Sequence, residues 1–315
     1  MPDDELLTCV IYNPAAGRGR ARKQIDEARR TIAPHAQLLP TEGPGHAIEV
    51  AKASVAKGFK RIVAAGGDGT VHEVANGILD ANDPSAILSV WPLGSMNDYA
   101  FTLGVSDWWK LAEKPPLERM TVDVGRASAG NTSKWFINSA GVGFNSMVTI
   151  ESRKIRWLRG IPLYALGLLK AMVKHYSAPT LRVAIDEAIQ DGPVLMMGIY
   201  LGQREGGFPI GKDAKLDDGL FDTFRAADVY RWELVRHLPG LITGNLPNDH
   251  PKLSRGRGAT VTISGPVPLC CHLDGEFLCR PEEGRKEVQF DTVPNRLTVE
   301  CYRPRLYGGF VLPDS

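Results

Sequence analysis

Residues 66 to 70 read Gly66-Gly67-Asp68-Gly69-Thr70, directly after the apolar run Ile62-Val63-Ala64-Ala65 and before Val71-His72-Glu73-Val74. That order predicts a strand, a turn rich in glycine with one carboxylate, and then a helix. Glycine has no Cβ and tolerates positive φ, so such a turn lets backbone N–H groups approach a phosphate closely. An aspartate within it repels the phosphate unless a cation stands between them. The combination points to a nucleotide bound with Mg²⁺; the plain alternative is a glycine-rich loop between strand and helix.

Two more loops carry similar chemistry. Pro92-Leu93-Gly94-Ser95-Met96-Asn97-Asp98 offers Ser95 and Asn97 as donors to phosphate oxygens and Asp98 as a holder of metal-bound water, or else an N-cap cluster for the next helix. Asn13-Pro14-Ala15-Ala16-Gly17-Arg18-Gly19 is a β-to-α turn with too few glycines for a dinucleotide fingerprint, which disfavours a dehydrogenase. Later, Asp274-Gly275-Glu276 places two carboxylates at i and i+2, on one face if the segment is a strand, or in a solvated hairpin turn. Asp217-Asp218-Gly219 reads by itself as a tight turn. Cys270, Cys271, His272 and Cys279 lack metal-ligand spacing.

The elements around these loops divide the chain. Up to about residue 126, short apolar strands (Leu7–Tyr12, Arg61–Ala65, Ala86–Trp91) alternate with helical patterns (Arg20–Ile32, Val71–Leu79), which indicates βαβ units and a mostly parallel, doubly wound sheet. Such sheets bind ligands at the carboxyl ends of their strands, where the three loops lie. From about Trp135 the pattern becomes strands and turns: Trp135–Ala140, Leu181–Ile185, Val194–Leu201, Gly219–Phe224, Ala259–Ser264, Leu269–Leu273, Glu287–Phe290 and Asn295–Cys301. That predicts an antiparallel sandwich or barrel, interrupted by helices at about 150–176 and 228–243. The predicted division is 1–126, 127–301 and a tail, 302–315, that either hangs free or packs back on the first domain.

A formal net charge of +1 excludes a chain-wide nucleic-acid footprint. The acidic start, Met1-Pro2-Asp3-Asp4-Glu5, is unlike an export signal, and five cysteines without one suggest reduced thiols in the cytoplasm. The positive surplus gathers at 152–185, where Arg153, Lys154, Arg156, Arg159, Lys170, Lys174 and Arg182 stand without an acid. Ile161, Ala165, Leu168 and Met172 share a helical stripe there. This stretch is either a peripheral contact with an anionic membrane or a core-packed helix with a solvated basic face.

Taken together and in order, the Asn13, Gly66–Thr70 and Pro92–Asp98 loops, the run Lys212-Asp213-Ala214-Lys215-Leu216-Asp217-Asp218-Gly219-Leu220-Phe221-Asp222, and Leu273-Asp274-Gly275-Glu276 resemble the diacylglycerol kinase catalytic-domain family, which includes bacterial lipid kinases and is related to sphingosine kinases. The resemblance implies an NAD kinase/diacylglycerol kinase-like α/β domain followed by an antiparallel β-sandwich domain. It implies ATP contacts from Asn13, Thr41, Gly66, Gly67, Asp68, Gly69, Thr70, Val71, His72 and Ser95, with Asn97 and Asp98 beside them. Structural Mg²⁺ would be held by the Asp218 carboxylate and the main-chain oxygens of Lys215 and Leu220. Glu276 would accept the proton of a lipid hydroxyl, supported by Asp274, while Asp68 and Asp98 organise catalytic Mg²⁺ through its waters. Ser95 replaces the usual Thr and Tyr99 the usual Phe, and Gly202-Gln203-Arg204-Glu205-Gly206-Gly207 is atypical; these leave the phosphate chemistry intact and the lipid headgroup open. The implied partner is a lipid at a membrane surface, reached from the cytoplasm, with a homodimer possible. NAD kinase, which shares Gly-Gly-Asp-Gly-Thr, and a non-catalytic nucleotide- or lipid-binding regulator are the alternatives.

Overall fold

The computed structural model describes residues 6–14, 25, 26, 33–108, 111, 114–155, 157, 158, 160–247 and 249–308. The Ala15–Gly19 part of the first loop, most of the helix predicted over 20–32, Arg156, Arg159 and the end of the tail lie outside the described residues. Two compact units emerge, one of Met1–Val122 with Asn295–Ser315 and one of Asp123–Pro294.

In the first unit, β1 (Thr8–Tyr12), β2 (Gln37–Pro40), β3 (Arg61–Gly66) and β4 (Ile87–Pro92) lie in the order β2-β1-β3-β4, all parallel. Val10, Ile11, Ile62 and Val63 are fully buried. Parallel strands are covered on both faces, which is why these runs read as continuously apolar rather than alternating. β2 and the His46–Ala56 helix escape the pattern because Gln37-Leu38-Leu39-Pro40 is too short to show a period. The Asp68–Ala81 helix packs on His46–Ala56 through Gly77, where a Cβ would stand 2.3 Å from the Ile48 carbonyl oxygen. Residues 295–301, read from sequence with the β-rich half, fall in this unit because Thr298 and Val299 pair in parallel with Ile87 and Leu88 of β4. Beyond them the Tyr302 N–H donates to the Leu103 carbonyl oxygen, and Gly104, at φ 73°, leaves room for the Arg305 backbone.

The second unit has two antiparallel layers. One is the sheet β12-β11-β10-β7-β14-β15, built from β7 (Ser139–Gly143), β10 (Met196–Tyr200), β11 (Phe221–Ala226), β12 (Leu253–Gly258), β14 (Cys271–Leu273) and β15 (Glu276–Cys279). The other contains β8 (Thr180–Ile185), β9 (Ala188–Pro193), β13 (Thr260–Ser264) and the Glu287–Asp291 end of β16 (Glu287–Cys301), with the Gly125–Ala129 end of β5 (Glu118–Ala129) and β6 (Thr132–Phe136). Inward residues of both, including Val142, Val183, Ile199, Val261 and Val288, form one core. Phe136 stacks on Phe221 at 5.6 Å and meets Phe290 edge-on at 6.1 Å. The opposite face of the first layer carries the helices Phe144–Arg153, Ile161–Lys174 and Arg231–Thr243 around Phe144, Met172, Leu195 and Phe224.

Three predicted strands are drawn differently. Trp135–Ala140 is broken at Ile137 and Asn138, whose N–H groups leave the ladder for the Asp274 carboxylate. Glu287–Phe290 and Asn295–Cys301 are one strand, which tolerates Pro294 and bends at Asn295 with φ 51°. Among the described residues, no helix is long and apolar enough to cross a membrane.

Candidate active site

At the carboxyl edge of the parallel sheet four strands deliver their following loops side by side. Asn13 follows β1, Thr41 follows β2, Gly66–Thr70 ends β3 and Leu93–Asp98 follows β4. The strand order turns at β1, with β2 on one side and β3 on the other, which is where open α/β sheets bind ligands. The Thr41 N–H donates to the Tyr12 carbonyl oxygen at 2.8 Å, and the Leu93 N–H to that of Gly66 at 2.8 Å, so adjacent loops are tied.

The two glycine turns touch directly. A Cβ on Gly94 would lie 2.5 Å from the Gly67 Cα, and one on Gly66 would strike the Thr70 hydroxyl at 2.3 Å. Only glycine permits this approach. The Asp68 carboxylate accepts the N–H groups of Asn97 at 2.9 Å and Asp98 at 2.7 Å, capping the short Asp98–Thr102 helix. Burial pushes the Asp68 carboxyl pKa upward, opposed by these backbone donors and that of Tyr99. Asn97 takes a left-handed conformation (φ 54°) and exchanges hydrogen bonds with the Gly94 backbone at 3.0 and 3.1 Å. Gly69 and Ser95 stay exposed. Val71 and His72 are buried, and the His72 ring lies 3.4 Å from Asn76, so these two support the turn from behind. Asp98 is buried as well.

In the second unit, Asp274 and Glu276 do not share a strand face. Asp274 (φ 49°) and Gly275 (φ 87°) form the two-residue turn between β14 and β15, as Asp-Gly favours, and only Glu276 begins a strand. The Asp274 carboxylate accepts N–H groups from Ile137, Asn138 and Ser139 at 2.9–3.0 Å. Asp274 therefore fixes the hairpin. The half-exposed Glu276 carboxylate pairs with Arg153, which also donates to the Gly275 carbonyl oxygen at 2.7 Å and lies 5.1 Å from the Phe277 ring centre.

The turn at Asp218-Gly219 is anchored by buried Asp123, which accepts the Gly219 N–H at 2.6 Å and donates its own N–H to the Leu216 carbonyl oxygen at 2.6 Å. One Asp218 oxygen accepts the Leu220 N–H at 3.2 Å, and the other pairs with Arg257, which also reaches Asp222 at 3.3 Å. One carboxylate with the main-chain oxygens of Lys215 and Leu220 is an oxygen-only set of the kind Mg²⁺ accepts. A cation held there would share Asp218 with the Arg257 guanidinium. Among the described residues, no group of three or more His, Cys, Asp or Glu side chains could hold a metal.

Sequence reasoning missed Glu73, Asp123 and Arg153 as site-builders. Glu73 caps the His46–Ala56 helix by accepting the Gly45 and Ala47 N–H groups at 2.8 and 3.2 Å. An acid set among apolar strand residues, Val122-Asp123-Val124, was the available signal for Asp123. Cys9, Cys270, Cys271, Cys279 and Cys301 are all free and buried. Burial raises their thiol pKa values, to about 11 for Cys9 and about 12 for Cys270, which leaves them poor ligands and nucleophiles. In the basic segment, Met172 is buried and Leu168 packs on the core, whereas Leu169 and Val173 of the same helix, and Trp157 before it, are exposed.

Residues 8–127 match the family described as the diacylglycerol kinase catalytic domain, and residues 138–301 the YegS C-terminal NAD kinase beta sandwich-like domain. A diacylglycerol kinase of Staphylococcus saprophyticus is 28% identical over 276 residues, 85% of this chain and 88% of the relative. One from Bacillus subtilis is 28% identical over 287 residues, 85% of this chain and 89% of its own. The crystal structure of a diacylglycerol kinase from Bacillus anthracis str. Sterne superposes with a TM-score of 0.68 at 18% identity, covering 94% of this chain and 97% of the other, a likeness of fold. Glycine turns at the edge of a parallel sheet in one unit, two antiparallel layers in the other and these two matches have one meaning: the chain belongs to the diacylglycerol kinase catalytic-domain family.

Proposed function

We propose that this chain is an ATP- and Mg²⁺-dependent lipid kinase, transferring the γ-phosphate to the hydroxyl of diacylglycerol or a related lipid. The observation that carries the reading is the pair of interlocked turns, Gly66–Thr70 against Gly94–Asp98, at the carboxyl edge of the parallel sheet. The diacylglycerol kinases it resembles add the acceptor class.

Backbone N–H groups at Gly69 and Thr70, in the first turn of the Asp68–Ala81 helix, suit phosphate oxygens, and the helix dipole favours the same charge. The Ser95 hydroxyl, exposed in the facing loop, adds a donor. Asp68 holds that loop in place and, with Asp98, would keep metal-bound water. Mg²⁺ would neutralise charge on the transferred phosphoryl group, and most of the acceleration comes from such positioning and charge. Glu276 would take the proton of the lipid hydroxyl, with Arg153 fixing its orientation. Lys215, Asp218 and Leu220 would hold a second Mg²⁺ that orders the acidic turn. The protein would work in the cytoplasm and touch the membrane through 152–185, where Trp157, Leu169 and Val173 are exposed. NAD as acceptor is the second reading, favoured by the NAD kinase-like description of the second match.

Glu276→Gln separates the roles. Phosphate transfer should fall by about 10² or more, the scale of a lost general base, while ATP affinity stays within about twofold. Loss of ATP binding in a folded variant, seen by calorimetry, would remove Glu276 from the base role.

A further inference from the structure

The Arg231–Thr243 helix presents two apolar faces. Leu234 and Leu241 point into the unit and pack on the core that contains Phe224 and Val229. A second stripe, Trp232, Val235, Pro239 and Ile242, faces solvent; Trp232 is 60% exposed, Val235 51% and Ile242 47%. Scattered exposed hydrophobics need no explanation, but these four recur at helical spacing along one line. At about 3.6 residues per turn, Arg231 and Arg236 fall on either side of that line, and both are exposed.

The helix has one acid, Glu233, and it is turned away from this stripe. Its carboxylate accepts the Tyr230 N–H at 2.7 Å and pairs with Lys252 at 3.4 Å. Lys252 in turn sits 3.8 Å over the Tyr230 ring. The outward face is therefore apolar along its middle and cationic at its margins, with an indole at its start. That is the composition of a helix lying in the headgroup region of an anionic bilayer.

We propose that the Arg231–Thr243 helix docks this protein on anionic membranes, inserting Trp232, Val235 and Ile242 while Arg231 and Arg236 meet lipid headgroups. The site is separate in sequence from the basic stretch 152–185. It rests on the lipid-kinase reading only in the expectation that the substrate lies in a bilayer.

The test is sedimentation of the full chain with vesicles of phosphatidylglycerol and phosphatidylcholine, against phosphatidylcholine alone. It uses no nucleotide, so it reads docking even if no lipid is phosphorylated. The wild type should bind the anionic vesicles, and Trp232→Glu with Val235→Glu should weaken binding by about tenfold or more. Arg231→Gln with Arg236→Gln, which spares the apolar stripe, should lower binding and flatten its salt dependence. Melting curves like the wild type's would establish that the exposed substitutions leave the fold intact. Transfer to diacylglycerol dispersed in detergent should be unchanged in all variants. Wild-type protein that ignores anionic vesicles, or a Glu variant within about twofold of it, would overturn the proposal. So would a wild-type dimer that Trp232→Glu dissociates in sedimentation velocity, since the stripe would then cover a second copy of the chain.

Discussion

Asp274 illustrates how a carboxylate inside a site motif can work on the backbone rather than on the reaction. Its oxygens collect three N–H groups from 137–139, so it joins the hairpin bearing Glu276 to the start of β7. Asp274→Asn turns one acceptor into a donor facing those N–H groups, and should cost about 2–3 kcal/mol of stability. A melting temperature equal to the wild type's would contradict this anchoring. The turn around Asp68 was legible in the sequence because its glycine neighbours marked it, and Asp274-Gly275 because Asp-Gly favours a hairpin turn, whereas the role of Glu276 came from the family resemblance alone. Arg153, Glu73 and Asp123 were not legible, because their partners lie far along the chain: Arg153 meets Glu276, and Asp123 meets Gly219. Local pattern carries no information about such pairings.

Among the elements, the Phe144–Arg153 and Ile161–Lys174 helices are joined by one buried acid. Glu151, its side chain 1% exposed, accepts Lys154 at 2.7 Å and His175 at 3.2 Å, with Lys174 at 3.7 Å. The hydrogen bond from Lys154, then that from His175, with the charges of Lys154 and Lys174, holds the Glu151 carboxyl at about 2 against the opposing effect of burial. Because this folded-state value lies below the usual 4.5, the contribution to stability is complete above about pH 4.5 and is lost as pH falls toward 2. Glu151→Gln should therefore cost about 3 kcal/mol at neutral pH and remove that part of the acid sensitivity. Denaturant midpoints at pH 7 and pH 3 measure both, and equal losses at the two pH values would contradict the assignment. The sequence marked this region as one helical stretch, 150–176. Gly160 at φ 66° and the turn at Lys154 divide it, which summed helical propensity does not show. Likewise, of the two predicted readings of the basic stripe, Leu168 and Met172 took the core while Leu169 and Val173 stayed outside, since the helix is apolar on more than one face.

At the scale of the molecule, the change from alternating βα units to strands with turns located both architectures, because buried parallel strands and half-buried antiparallel ones leave different patterns. The return of 295–301 to the first unit was illegible; parallel pairing of Thr298 with Ile87 joins distant segments and depends on no local signal. The acidic turn at Asp218 offers a prediction for the whole fold. Mg²⁺ should raise the melting temperature of the wild type, since a ligand bound only by the native state stabilises it, and Asp218→Ala should abolish the response. The same response in both proteins would place the ion elsewhere and leave Asp218 as the partner of Arg257. The most direct measurement is transfer of labelled γ-phosphate from ATP, with Mg²⁺, to diacylglycerol, phosphatidylglycerol, ceramide, sphingosine and NAD presented in detergent micelles. A labelled lipid, with diacylglycerol or a close relative foremost, is the predicted product. Labelled NADP, or ATP binding with no product from any acceptor, would contradict the assignment of this chain as a lipid kinase.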